Sequence, residues 1–507
     1  MFCIAPLIRL RAVCISPNLL RGSSRRRLLT TKVANPPTVA IVGGGAAGFY
    51  TAARLLAKLG TTTIDIFENL PVPHGLVRYG VAPDHPEVKN CMTKFDEVAS
   101  NPRVRLFANT PVGTNVDLAQ RHPAMPLTVL RNIYDAVVLA YGASEDRKLG
   151  IPGEDGQGGR VGVVSARMFV AWYNGLPEAQ DVELDLESYD RLVVVGHGNV
   201  ALDCARILLT DPEVLAKTDI TRKAVETLRR SRIRHVEMVG RRGPLQVSFT
   251  TKELREMTKI PGLQIVCDRQ LLDSQCASPE GAEHLAKSRP LKRMMEILQK
   301  HAVSEPTETA ERTFTIRFLM SPLEMVYPDG LPQVMRFRVN RLEGPPAKAR
   351  AVPTDQTTDI SCAMALRSIG YASAPLNECE FDPVRNIVPN VAGRVVDRNG
   401  ELVRGLYCSG WVKSGPVGVI ATTMQNAYQT ANAIASDIDS GNIAECPNSR
   451  SEVDDQLSAQ GVFDYCVSNS DWKHLEKHEF DEGRKLNKPR EKVTSIDKML
   501  RIMKPEL

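Results

Sequence analysis

The sequence predicts an α/β chain of two doubly wound, Rossmann-like domains, the second inserted into a split first. Three observations predict it. A run of β-formers, Val39–Val42, leads into Gly43-x-Gly45-x-x-Gly48 and then into a helical pattern at Ala52, Ala53, Leu55, Leu56 and Leu59. The same order returns at Leu192–Val195 with Gly196-x-Gly198-x-x-Ala201. Apolar segments at Ala136–Ala140 and Cys362–Gly370 then give each unit a closing strand.

The 507 residues suffice for two to four domains at roughly 100–200 residues each. A 43% apolar and 24% charged composition is that of a globular chain. Its net charge of +5 is unevenly placed. Residues 1–36 hold seven basic side chains and no acid, whereas the remainder has 57 basic against 59 acidic groups, a net of −2. The body is therefore not a basic nucleic-acid binder. The arginine-rich, acid-free opening, with Ser23, Ser24, Thr30 and Thr31 and no unbroken apolar run, reads as a mitochondrial transit peptide over residues 1–34. No later stretch has the ~20 apolar residues of a membrane helix. The eleven cysteines are never closer than nine positions, which excludes a CxxC dithiol and clustered iron–sulfur ligation. Redox chemistry would then need a bound cofactor.

In the first glycine turn, Gly43 permits the tight bend, Gly45 lets backbone approach a pyrophosphate, and Gly48 lets helix pack on strand. The N–H groups of the helix start face the phosphates. The second strand, Thr63–Phe67, ends in Glu68, twenty residues after Gly48, where a ribose-binding acid belongs. In the second turn, Ala201 replaces the third glycine, and the following strand, Arg234–Gly240, ends in Arg241 and Arg242. An acid there would repel a 2′-phosphate, whereas two guanidinium groups grip one, so this site is expected to prefer NADPH. The free-ribose acid of the first turn suits FAD. Later come Gly405–Trp411 and Gly418–Ala421, ahead of a helix expected from Thr422. The expected organisation is an FAD domain over 35–142 and 366–507 with an NADPH domain inserted over 143–365.

Three segments carry a family resemblance: Gly75–Asn90 (GLVRYGVAPDHPEVKN), Val239–Val247 (VGRRGPLQV), and Gly410–Lys413 with Gly418–Met424 (GWVK, GVIATTM). With these the chain resembles the adrenodoxin reductase family from about Pro37 to its end. The resemblance implies an FAD enzyme passing electrons from NADPH to a small mitochondrial [2Fe–2S] ferredoxin, which feeds cytochrome monooxygenases and iron–sulfur assembly. By motif, FAD would contact Ala47, Glu68, Leu76, Val112, Trp411, Gly418, Val419 and Ile420. NADP would contact His197, Gly198, Asn199, Val200, Arg241, Arg242, Glu253 and Gly418. The family has Gln in place of His197 and Arg in place of Ser414. The first departure suggests a pH-sensitive NADPH affinity, the second a missing positive charge near the flavin.

The implied reaction needs no nucleophile or acid–base triad. His85 and Asp203 are the candidate catalytic residues for polar tuning beside the flavin. Their bland alternatives are a loop cap in Pro83-Asp-His-Pro86 and an acid in a helix's first turn. Docking of an acidic ferredoxin calls for a basic face, and Arg255, Arg289, Lys292 and Arg293 are its candidates, the last three by resemblance. The run Leu228–Arg234 is a competing patch that reads as solvated. His474 and His478, four apart, read as a surface helix without a third metal ligand. A glutamate-synthase-type subunit and a thioredoxin-reductase-like enzyme share the paired folds but require the clustered cysteines absent here. A redox-inert NADPH sensor would be separated from an enzyme by a bound flavin that NADPH bleaches. A monomer is expected, with peripheral inner-membrane association left open.

Overall fold

The computed structural model describes residues 36–113, 124–443 and 449–504; the expected presequence lies outside them. The first sheet runs Val104–Phe107, Thr63–Phe67, Thr38–Val42, Ala136–Leu139, Leu402–Cys408, Arg394–Val396 and Asn390–Val391 in space. Its first five strands pair in parallel, and the last two turn back as antiparallel hairpins. Val39, Ala40 and Ile41 are fully buried, as a central parallel strand covered on both faces requires. One face packs Phe49, Leu55, Ala427 and Ile434 from the helices Ala46–Lys58 and Ile420–Asp439. That second helix starts two residues before the expected Thr422.

The chain leaves this outer lobe after Leu139 and builds a second sheet, all parallel, in the order Ala302–Val303, Leu263–Cys267, Arg312–Arg317, His235–Val239, Arg191–Val195, Ala365–Arg367, Val163–Ser165. The last inner strand crosses the expected boundary at 365 by two residues. The two connecting segments pair with each other, Glu145–Asp146 antiparallel to Tyr371–Ala372. Gly142 and Gly370 bend there at φ +77° and +111°, in the region that favours glycine.

Sequence reasoning missed a three-stranded antiparallel sheet, Met320–Val326, Gln333–Glu343 and Arg350–Cys362. Its Met325, Met335, Phe337 and Ile360 bury against Val193, Val195 and Val239, so it covers one face of the inner sheet. The C-terminal helices Asn469–Lys485 and Ile496–Met503 pack on the outer lobe through the fully buried Trp472, Leu475 and Met499. The segment between them crosses to the inner lobe. Lys488 donates to the Ile220 carbonyl, and Lys492 meets Asp219 at 3.0 Å, opposite Lys89 of the outer lobe at 2.7 Å. Among the described residues no helix is long and apolar enough to cross a membrane.

Candidate functional site

Both glycine turns sit at the carboxyl ends of central parallel strands, where open α/β sheets place ligands. In the outer turn, a Cβ on Gly43 (φ +115°) would lie 2.5 Å from the Ala140 carbonyl oxygen, and one on Gly48 only 2.1 Å from that of Gly43. A Cβ on Gly45 would meet nothing within 4 Å. Two of the glycines are thus demanded by packing, and the third opens a cradle at the helix start. The Glu68 carboxylate accepts from the Gly44 N–H at 2.8 Å and the Leu70 N–H at 3.0 Å. Burial pushes its carboxyl up from the ordinary range, against the pull of those N–H donors.

The other expected FAD residues gather around this turn. The His74 N–H donates to the Gly44 carbonyl at 2.7 Å, which docks the short helix Gly75–Tyr79, carrying Leu76, onto the loop. A Cβ on Gly410 would lie 2.5 Å from the Ala47 side chain, so Trp411 starts its helix directly over Ala47. The Trp411 indole N–H is buried without a hydrogen-bond partner, and its ring lies 5.5 Å from Tyr371. Val112 bridges to Met125, two residues beyond Thr110, whose N–H bonds the Glu68 carbonyl. Gly418 (φ +92°) and Val419 lead into the helix beginning at Ile420, with Val419 exposed. The open cradle, the anchored carboxylate and the orphaned indole N–H together fit FAD.

The inner turn repeats the plan. A Cβ on Gly196 would lie 2.2 Å from the Ser368 carbonyl oxygen, while Gly198 is open. Asn199 and Val200 begin the helix Asn199–Leu209, and the Asn199 Oδ1 accepts from the Thr250 N–H at 2.7 Å. That contact brings up the helix Thr251–Met257, on which Glu253 accepts from the Thr250 hydroxyl. Burial pushes the Glu253 carboxyl up. Among the described residues neither the Arg241 nor the Arg242 guanidinium has a hydrogen bond or an ion pair. Their backbone is nonetheless fixed: the Asn340 amide donates to the Arg241 carbonyl at 3.1 Å, and the Leu319 N–H to that of Arg242 at 3.1 Å. Asn340 stands on the unforeseen antiparallel sheet, which thus frames the arginine pair. Open backbone beside two unpaired guanidinium groups fits a 2′-phosphorylated dinucleotide.

His197 departs from expectation. Its ring packs on Gly240 and Phe318, with Nε2 3.3 Å from the Met238 carbonyl oxygen. Burial pushes its pKa down to about 4, so the ring is neutral near pH 7 and is not the titrating group its residue type suggested. Ser414 bonds the Gly410 carbonyl at 3.2 Å. A buried cation remains beside it, since Lys413 is 7% exposed and donates to Gln429 and Thr430.

His85 and Asp203 meet in one cluster where the lobes touch. His85 precedes the short helix Pro86–Lys89, but its side chain makes no capping bond; its Nε2 lies 2.6 Å from the Glu256 carboxylate of the inner lobe. Asp203 sits beyond the first turn of its helix and pairs with Arg206 at 2.7 Å. Burial pushes the Asp203 carboxyl up despite that cation. Neither bland alternative describes these side chains. Glu256, Arg206 and Asp84 complete the cluster and went unnoticed in the sequence, where each reads as a surface charge. The spacing of Glu256, one turn after Lys252, was its single signal.

Arg289, Lys292 and Arg293 lie on the exposed face of the helix Arg289–His301, whose Leu291, Met294, Met295 and Leu298 are buried. This helix packs beside Thr251–Met257, which carries the exposed Arg255; the Thr251 hydroxyl donates to the Pro290 carbonyl at 3.4 Å. None of the four cations has a carboxylate partner among the described residues. In the competing run, Arg229 and Arg230 are paired with Glu213 and Glu187.

Residues 37–259 match the family model described as pyridine nucleotide-disulphide oxidoreductase. The mitochondrial NADPH:adrenodoxin oxidoreductase of Homo sapiens is 45% identical over 468 residues, 90% of each chain. That of Bos taurus is 44% identical over the same length and coverage, and that of Drosophila melanogaster 40% identical over 461 residues, 90% of this chain and 91% of its own. The solved structure of Mycobacterium tuberculosis FprA in complex with NADPH superimposes with a TM-score of 0.82 at 36% identity, covering 92% of this chain and 99% of that one. With its paired cradles and this likeness along nearly the whole body, the chain belongs to the NADPH:adrenodoxin oxidoreductase family.

Proposed function

We propose that this chain is a mitochondrial, FAD-dependent oxidoreductase that takes a hydride from NADPH and passes single electrons to a [2Fe–2S] ferredoxin of the adrenodoxin type. The observation that carries it is the pair of open glycine cradles in one molecule, one ending in an anchored carboxylate and the other in two unpaired guanidinium groups. FAD, when bound, supplies the conversion of a two-electron donor's equivalents into one-electron steps. The chain's own groups bind and orient. The Gly43–Gly48 turn takes a diphosphate at a helix start, Glu68 takes ribose hydroxyls, and the Trp411 N–H with residues 418–420 holds the far end. Gly198–Val200 take the second diphosphate, Arg241 and Arg242 its 2′-phosphate. His85 and Asp203, linked through Glu256 and Arg206, place polar groups at the lobe boundary beside the flavin site. The same reading divides the chain into an FAD domain (35–142 and 366–507) and an NADPH domain (143–365, its last strand reaching Arg367), with 1–34 as a transit peptide removed on import. Downstream outlets in cytochrome-dependent hydroxylation and cluster assembly, a monomeric state and loose inner-membrane association belong to the same reading.

The test is NADPH-dependent cytochrome c reduction by the purified chain, with and without a mitochondrial-type ferredoxin. A large rise on adding ferredoxin is expected. A flavin that NADPH bleaches without any such rise would keep the cofactors and remove the partner. Reversing charge at the docking face, with Arg289→Glu and Arg293→Glu together, is expected to slow ferredoxin-dependent turnover several-fold and flatten its salt dependence, since unpaired rim charges steer association. Reduction of a small acceptor should persist; equal loss of both activities would mean damage to the fold.

A further inference from the structure

The cradles must be held at a fixed separation if a nicotinamide is to lie against a flavin, and one side chain at the seam is placed to do this. Arg206 is 3% exposed and lies on the helix Asn199–Leu209, the same helix whose start forms the inner cradle. Seven residues separate it from Asn199, about 10 Å of helix at 1.5 Å per residue. Its guanidinium grips the outer lobe bidentately, Nε to Asp84 Oδ2 at 2.6 Å and Nη2 to Asp84 Oδ1 at 3.0 Å. Its remaining nitrogen, Nη1, meets Asp203 at 2.7 Å and Glu256 at 3.5 Å, both inner-lobe carboxylates. Glu256 in turn holds His85, the residue after Asp84. The segment bearing Asp84 and His85 follows the Gly75–Tyr79 helix, which the His74 N–H docks onto the outer turn. An unbroken chain of bonded groups therefore runs from one glycine turn to the other; it crosses between the lobes at Arg206–Asp84, with His85–Glu256 alongside, and only Arg206 stands on the cradle helix itself.

The electrostatics agree. Burial pushes the Asp84 carboxyl up, but the Arg206 guanidinium outweighs it and holds that carboxyl below its ordinary range. Three carboxylates converge on this one guanidinium, so its loss would leave them facing each other at a buried seam. The cross-lobe ties outside this cluster lack this placement. Lys252–Glu87 is a half-exposed rim pair, which contributes little. The Lys89–Asp219–Lys492 group secures the C-terminal segment away from the inner cradle helix.

We propose that Arg206 is a positioning residue for hydride transfer, setting the nicotinamide site against the flavin site by clamping Asp84 of the outer lobe to the helix that carries the NADPH cradle. It acts through Asp84 and Glu256, and the proposal rests on the functional reading above. Misplacement of reacting groups by about 1 Å is enough to cost on the order of a hundredfold in rate.

The experiment compares the FAD-loaded parent with Arg206→Met, Arg206→Lys and Asp84→Asn, the last breaking the same tie from its more exposed end. Five readouts are taken: flavin content, NADP⁺ affinity, anaerobic single-turnover bleaching by saturating NADPH, amide hydrogen exchange of residues 81–90, and electron delivery to ferredoxin from dithionite-reduced protein. In Arg206→Met, flavin content should hold and NADP⁺ affinity stay within about threefold, while bleaching slows at least about tenfold and loop exchange quickens. Arg206→Lys should recover part of the rate, and Asp84→Asn should slow it in the same direction. Electron delivery to ferredoxin from dithionite-reduced protein should not change. Parental bleaching rates in Arg206→Met and Asp84→Asn overturn the proposal. So does a loss of NADP⁺ affinity or flavin in proportion to the rate, which marks a merely structural role. Should Arg206→Met not fold, Asp84→Asn decides. A parent that NADPH does not bleach sinks the functional reading instead, and the exchange of residues 81–90 still reports on the clamp.

Discussion

The outer and inner glycine turns share a bend and part company at two places. Gly43 and Gly196 both press on a carbonyl that leaves no room for a Cβ, and Gly45 and Gly198 both stand open. At the third position the outer helix lies so close to its strand that Gly48 is obligatory, whereas the inner helix accommodates Ala201, fully buried. At the strand ends, the Glu68 carboxylate is pinned by two N–H donors, while the Arg241 and Arg242 side chains have only their backbone pinned. The bend makes a diphosphate site in either lobe. The strand end decides which dinucleotide enters, and it does so by charge and by whether that charge is already engaged.

The strongest challenge to this contrast is steric. Gly48→Ala places a methyl against backbone and is expected to remove nearly all bound flavin, read as the flavin-to-protein absorbance ratio. The mirror change in the inner turn, Ala201→Gly, should keep flavin and cost about 1 kcal/mol of helix stability. Next in size, Arg241→Ala with Arg242→Ala should weaken NADPH binding about a hundredfold, at roughly 1.5–3 kcal/mol per charged hydrogen bond, and leave NADH unchanged. Unaltered NADPH selectivity would break the assignment. Glu68→Gln keeps the geometry and removes the charge; FAD affinity should fall by about tenfold or less. Smallest is His197→Gln, which should leave NADP⁺ affinity unchanged from pH 6 to 8. Because burial holds the folded His197 near 4, below its ordinary 6.5, the unfolded chain takes up the proton first. Stability from this group is therefore lost as pH falls from 6.5 toward 4, and melting curves of the variant should lack that component.

What the sequence made legible was local. Gly43 to Glu68 occupies one βαβ unit, so spacing alone reports its geometry, and Arg241 follows directly on a strand. The fold class follows from two such units. The seam was not legible because its partners are brought together only by packing. Asp84, Arg206 and Glu256 come from three elements in two lobes, and each looks like one more charge on a polar face. His197 misled for the same reason: residue type suggested a titrating group, but its contact with Gly240 and Phe318 buries it. The antiparallel sheet escaped because Arg336, Asp359 and Glu324 form ion pairs on its open side and dilute its apolar alternation.

The paired connectors also bear on the order in which the molecule is made. Leu402–Cys408 must find Ala136–Leu139 to finish the outer sheet, yet a ribosome emits the entire inner lobe between them. Once that lobe is folded, Glu145–Asp146 and Tyr371–Ala372 lie side by side. The loop to be closed then shrinks from roughly 260 residues to about 40, which on chain-entropy grounds eases closure by about 1.5–2 kcal/mol. The nested lobe thereby acts as a template for its host, and lesions that slow inner-lobe folding should first appear as failure to retain flavin in the outer one.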